Sequence, residues 1–278
     1  MCEKRRQRPL LLVSVRRNAR VAKEGSKILF PLGVIEEHGP HLPLGSDIFW
    51  SKKICELVRD ELKKQGQEAL IAPGYYWGIN HCTGAFPGSF SLKPETMKQV
   101  LFEIFENLKA FGFSEVYCFN YHGDAHHVNT IVEAIQRANA ELGMRVKLVL
   151  EAMDLQLYQW KGTEEFLLVS EPPYPLEWFE DGAMEDGLLD IHGGAYETAV
   201  MNDFHPEYVD LELAKTLESS SLSMTDLQKW LIGGEETKAL VPQGYAGNPA
   251  GYAAVAKHVK EMIALQVTDI AGRIVAHI

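Results

Sequence analysis

Two hydrophobic periods alternate along the 278-residue chain from residue 28 onward. Ile28-Leu29-Phe30-Pro31-Leu32-Gly33-Val34-Ile35 is an almost unbroken apolar run, the pattern of a strand buried on both faces. Between about Asp47 and Lys64, the residues Ile48, Trp50, Ile54, Leu57, Val58 and Leu62 recur at helical intervals. Leu70-Ile71-Ala72-Pro73 reads as a second short strand, and a Gly-, His- and aromatic-rich loop follows from Gly74 to Ser91. Pro94 suits a first helical turn; Met97, Val100, Leu101, Ile104, Phe105, Leu108 and Phe111 then keep one helical face, and Gly112 ends it. Glu115 to Asn120 and Val146 to Leu150 are strand-like, separated by a helix marked by Val128, Ile131, Val132 and Ile135 and stopped by Gly143. Val255, Val259, Met262 and Ile270 mark a C-terminal helix after Gly251. This alternation predicts an α/β fold with a mostly parallel sheet covered by helices. Regularity lapses where Pro, Gly, Trp and acidic residues crowd together. The expected organisation is therefore one domain over 1–278 with an irregular insertion at about 161–190.

The unusual chemistry collects in three short segments. Glu36-Glu37-His38-Gly39-Pro40-His41 leads through Gly and Pro to Asp47. Asn120-Tyr121-His122-Gly123-Asp124 precedes His126 and His127, and His192-Gly193-Gly194-Ala195-Tyr196-Glu197-Thr198 is the third. In open α/β sheets the loops beyond the carboxyl ends of the strands converge on a ligand crevice, so the first two segments are expected to meet. Imidazole with carboxylate suits zinc, manganese or ferrous iron. Glu36 and His38 are two apart and point the same way in an extended segment, and His122 and Asp124 repeat the spacing. Asp47 has two oxygens and can bridge two cations. Glu36, His38, Asp47, His122 and Asp124 are thus candidate ligands for two divalent metal ions, zinc foremost, with a hydroxide between them. Each has a plainer reading: Asp47 as a helix cap, Asp124 as a turn residue, and His41, His126 and His127 as structural or surface histidines.

Composition narrows the partners. With 27 Lys and Arg against 38 Asp and Glu, the formal charge is −11. That disfavours nucleic acid, which needs clustered cations, and equally disfavours an anionic membrane. The apolar run Pro9 to Val13 is shorter than the roughly 7–15 residues of a signal peptide, and no stretch nears the roughly 20 that span a bilayer. Four dispersed cysteines with no CxxC pair fit a reducing compartment, so a cytoplasmic location is expected.

The segment Pro31 to Pro43 closely resembles the signature of the creatininase (creatinine amidohydrolase) family. So do Phe86-Pro87-Gly88-Ser89, Asn120 to Asp124, His192 to Thr198, Pro206 to Asp210 and Gly244 to Pro249, in order from about Lys27 to the C-terminus. The resemblance implies a three-layer α/β/α fold, a homo-oligomer (often a hexamer), and a dinuclear site that hydrolyses non-peptide C–N bonds. Carried over, Glu36, His38, Asp47 and His122 match metal ligands, and Asp124 stands where creatininase has a ligand Glu. His192 matches a general acid/base, and Glu197 either orients it or adds a ligand. Two positions depart: Val34 replaces a small residue, and Gly123 replaces an aromatic that contacts substrate in creatininase. The expected substrate is therefore a small-molecule amide, a formamide or other cyclic amide ahead of creatinine, with Trp160, Trp178 and the Tyr75–His81 loop as candidate pocket walls. A phosphoester hydrolase and a non-catalytic metal binder are the competing classes.

Overall fold

The strands β1 (Lys27–Leu32), β2 (Ala69–Ile71), β3 (Glu115–Asn120), β4 (Arg145–Glu151) and β5 (Leu167–Ser170) form one sheet. Their order is β2-β1-β3-β4-β5 and every pairing is parallel. The structure is a computed structural model that describes residues 25–175, 178 and 189–276. The N-terminal apolar run Pro9 to Val13 lies outside the described residues.

Alternation along the strands builds two cores. Ile28, Phe30, Val116, Cys118, Val146 and Leu148 pack with helices α2 (Pro94–Ala110) and α3 (Ala125–Leu142) on one face. Leu29, Tyr117, Phe119 and Val149 point the other way, against α1 (Ser46–Lys64) and the C-terminal α5 (Val259–Ala276). A strand buried on both faces has no polar face to present, which is why these sequences read as continuous apolar runs. The result is the three-layer α/β/α architecture.

The predicted elements recur with shifted ends. β1 stops at Leu32 rather than Ile35, and α3 begins at Ala125 and ends at Gly143, which takes the left-handed conformation that favours glycine. Within the stretch expected to be irregular, at about 161–190, Leu167–Ser170 forms the edge strand β5. Four residues carry too little periodicity to announce a strand. Residues 176–177 and 179–188 lie outside the described part of the chain.

This order has one switch point. From β1 the chain goes to β2 on one side, then crosses to β3 on the other, so the carboxyl ends of β1 and β3 diverge and leave a crevice between their loops. The first two chemical segments leave those two ends.

Candidate metal centre

The loop after β1 is held by its neighbours rather than by a regular element. Glu36 N–H donates to Leu44 O at 2.9 Å, Glu37 N–H to Ser89 Oγ at 3.1 Å, and Asn80 Nδ2 to Ile35 O at 3.0 Å. Asp47 then falls in the first turn of α1, where the cap position belongs to Gly45 and makes no side-chain cap bond. The plain reading of Asp47 as a cap is therefore excluded. Its carboxylate turns inward and is buried, as are Glu36, His38, His122 and His192.

These side chains converge. One ligand-capable atom from each of Glu36, Asp47 and His122 lies within 4.8 Å of the others. The same holds for His38, Asp47 and Glu197, and for Glu36, His38 and His192. Asp47 is common to the first two groups. Its Oδ1 lies 3.2 Å from His38 Nε2, and its Oδ2 lies 3.4 Å from His122 Nδ1. Glu36 Oε2 is 2.8 Å from His122 Nδ1, and Glu197 Oε2 is 3.9 Å from His38 Nε2. Glu197 enters from α4 (Ala195–Phe204), where its Oε2 also accepts a bond from Gly193 N–H at 2.6 Å. Gly193 has φ +59°, and a β-carbon there would meet His38 O at 2.9 Å, so the close approach of this loop to the site requires glycine.

The three histidines share a second feature. His122 Nε2 faces Ile79 O at 2.9 Å, His38 Nδ1 faces Glu36 O at 3.1 Å, and His192 Nε2 faces Glu37 O at 2.7 Å. A carbonyl only accepts, so each of these nitrogens carries the proton and the other ring nitrogen is the free one. For His122 and His38 that free nitrogen is the atom aimed at the carboxylates. Glu36 Oε2 and Asp47 Oδ2 nevertheless have no hydrogen-bond partner, despite their nearness to His122.

Electrostatics follow from this crowding. Burial opposes charge on His38, but the adjacent Asp47 and Glu197 carboxylates outweigh it and push His38 up to about 10. Burial also disfavours charged His122, yet Glu36 and Asp47 hold it well above the usual imidazole range. Burial raises and the histidines lower Asp47 and Glu36, and for both the net direction is down.

Asp124 does not join them. Its Oδ1 accepts from His126 N–H at 2.9 Å and His127 N–H at 3.3 Å, capping α3, and its Oδ2 accepts from His81 N–H at 2.7 Å and Cys82 N–H at 3.2 Å. Four backbone donors fix the carboxylate away from the cluster, and no convergent group among the described residues includes it. In this arrangement the Asp124 carboxylate serves as the N-terminal cap of α3.

The plainer histidines behave as such. His126 is exposed, His41 Nε2 contacts Thr198 Oγ1 at 2.8 Å, and buried His127 lies between Ile79 N–H and Asn120 Oδ1. Thr83, which donates to Glu36 Oε1, and Trp230, whose ring lies 5.6 Å from that of His192, escaped the sequence reading. A threonine in a Gly-rich loop and a tryptophan far along the chain carry no spacing signal.

A cavity of about 370 Å³ opens beside the cluster, lined by His122, Gly123, Glu197 and aromatics including Tyr121, Tyr196 and Trp178. A β-carbon at Gly123 would meet nothing within 4 Å, so the absent side chain leaves open space. Trp160 instead stacks on Tyr158, with centroids 4.8 Å apart, and the Tyr75–His81 loop does not line this cavity. Val34 is fully buried in packing contacts. No helix among the described residues is long and apolar enough to cross a membrane.

A parallel α/β sheet with imidazoles and carboxylates buried at its switch point defines the class of the molecule. The chain belongs to the creatininase family: the family profile, "Creatininase: Creatinine amidohydrolase", matches residues 14–274. Creatinine amidohydrolase of Pseudomonas putida is 27% identical over 205 residues, 70% of each chain. A mycofactocin precursor peptide peptidase of Mycobacterium tuberculosis (strain CDC 1551 / Oshkosh) is 29% identical over 119 residues, 41% of this chain and 46% of that protein. Among solved structures, a creatinine amidohydrolase crystal structure superposes with TM-score 0.69 at 22% identity, covering 98% of both chains. A structure titled "Creatininase Mn" superposes with TM-score 0.68 at 21% identity over 98% of both chains.

Proposed function

We propose that the protein is a dinuclear metal-dependent amidohydrolase that cleaves a non-peptide C–N bond of a small cyclic amide or formamide. One observation carries this reading. His38 and His122 each commit one ring nitrogen to a backbone carbonyl and aim the other at buried carboxylate oxygens, two of which lack hydrogen-bond partners. Carbonyl-anchored imidazoles facing carboxylates are how proteins orient ligands toward a cation. The residues therefore fit a divalent metal pair. Glu36, Asp47 and His122 would hold one ion, and His38, Asp47 and Glu197 the other, with Glu197 in the role first expected of Asp124. The donor set suits zinc, with manganese or iron as alternatives. Bound there, the ions would supply a polarised carbonyl and a water acidic enough to ionise near neutral pH.

The chain's own groups do the rest. Glu37 O holds His192 at Nε2, so Nδ1 is the atom free to take a proton and return it to the departing nitrogen. Trp230 packs against that ring and limits its rotation. The cavity beside the cluster admits the substrate, and Gly123 leaves room where an aromatic would narrow it. Among the described residues, four carboxylic residues and no Lys or Arg line it, which disfavours a phosphoester. The relatives' names span creatinine and a peptide, so amide chemistry is the common element. We read the protein further as a single domain that forms a homo-oligomer, with a hexamer the first size to test by sedimentation, and as cytoplasmic. The activity test is hydrolysis of a panel of lactams and formamides by the zinc- and manganese-loaded protein. Turnover of a panel member supports the reading; no turnover with any metal, on protein that binds two equivalents, overturns it.

A further inference from the structure

One stretch of loop borders Glu36 and His122 without joining the convergent groups. Ile79 O accepts from His122 Nε2 at 2.9 Å, and Asn80 Nδ2 donates to Ile35 O, the neighbour of Glu36, at 3.0 Å. His81 and Cys82 donate their N–H groups to Asp124 Oδ2 at 2.7 and 3.2 Å. Thr83, the last of the five, is fully buried and donates its hydroxyl to Glu36 Oε1. Residues 79–83 thus tie the loop after β1 to the loop after β3 by hydrogen bonds to both. The bond from Thr83 divides the Glu36 carboxylate. Oε1 is occupied by the hydroxyl, whereas Oε2 lies 2.8 Å from His122 Nδ1 and has no hydrogen-bond partner. Asp47 is not divided in this way: its two carboxylate oxygens face His38 and His122 and take no hydroxyl or backbone donor among the described residues.

We propose that Thr83 is a positioning residue that makes Glu36 a one-oxygen ligand. With Oε1 held by the hydroxyl, Oε2 alone meets the metal that Asp47 and His122 share. A carboxylate that gives both oxygens takes two positions of an ion. One that gives a single oxygen leaves a position for water, which a hydrolytic centre needs and a closed structural site lacks. Threonine suits the task, because a β-branched side chain has few rotamers and a fully buried one has no water to turn to. The hydroxyl therefore stays where the loop puts it. It also satisfies an oxygen that would otherwise be buried without a donor.

The inference rests on the paired-metal reading of the site, and its test separates the two. The probe is zinc itself, titrated against a chelator that competes for each of the two bound equivalents. Thr83→Val keeps the shape and removes the donor. It is expected to weaken one equivalent by about ten- to hundredfold, the usual effect of losing a group that orients a ligand. Thr83→Ser keeps a hydroxyl and is expected to stay within about threefold of wild type. Melting of the metal-free proteins is measured alongside, because a hydroxyl of merely structural use lowers the melting temperature of Thr83→Val and leaves zinc affinity unmoved. A crystal structure of the zinc-loaded wild type, which needs no variant to fold, is expected to show Glu36 Oε2 on the metal and Oε1 still on Thr83. Unchanged zinc affinity in a folded Thr83→Val, a Thr83→Ser as weak as Thr83→Val, or a metal bound through Oε1 in the wild type overturns the proposal while the metal pair stands. A wild type that binds no zinc at this cluster overturns both. The expected pattern, with no member of the lactam and formamide panel turned over, retains the role of Thr83 and removes the amidohydrolase reading.

Discussion

Asp47 and His38 meet at 3.2 Å through one carboxylate oxygen, while the other oxygen of Asp47 is turned toward His122. Dividing a carboxylate between two histidines from different loops makes it the shared member of two convergent groups. Asp47→Ala is therefore expected to lose both metals, since each group falls to two side chains. Elemental analysis after dialysis reads the result. Retention of two equivalents by the variant contradicts the bridging role.

Glu197 and Asp124 are predicted to separate cleanly. Glu197→Gln weakens one metal site by at least about tenfold and leaves the other filled. Asp124→Asn keeps both metals but loses some stability, because its Oδ1 still caps α3 while its Nδ2 would face the His81 and Cys82 N–H donors. Asp124→Ala, which also loses the cap, costs at least about 0.5–2 kcal/mol. Metal content and thermal melting on the same preparations distinguish the two. Loss of metal in a folded Asp124→Asn protein would restore Asp124 as a ligand.

How far these roles were legible in the sequence follows from what spacing can encode. The helical face from Met97 to Phe111 and the apolar run at Ile28 announce their elements because burial imposes a period. Glu36, His38 and His122 announce themselves as a cluster because three such residues beside strand ends have no packing reason to be there. Asp124 was ambiguous in principle, since an aspartate before a helix looks the same as a cap or as a ligand; the four backbone donors on its carboxylate speak for the cap. β5 is too short to show a period. The wall formed by Glu151 and Gln266, 115 residues apart, was invisible because it exists only once α5 packs on the sheet.

His192→Ala should lower kcat by about 10²–10⁴-fold while metal content stays at the wild-type level. The combination matters, because a structural role would lower metal content or melting temperature instead. Full activity in the variant removes His192 from the proton transfer.

Glu151 gives a pH dependence of stability. Its ordinary value is 4.5 and its folded value about 7, raised by burial and by Asp154. Between those limits the unfolded chain ionises first and binds fewer protons, so stability falls as pH rises from about 4.5 and levels off above 7. Glu151→Gln keeps an acceptor and removes the ionisation. It is expected to gain about 1–3 kcal/mol relative to wild type at pH 8 and little at pH 4.5. Denaturant melts at the two pH values measure it; an equal difference at both contradicts the raised value.

The most direct measurement is anomalous diffraction at the zinc edge from crystals grown with zinc. The arrangement predicts two peaks: one within coordinating distance of Glu36, Asp47 and His122, the other of His38, Asp47 and Glu197. A single peak, peaks centred on Asp124, or none at this crevice would contradict a paired-metal site.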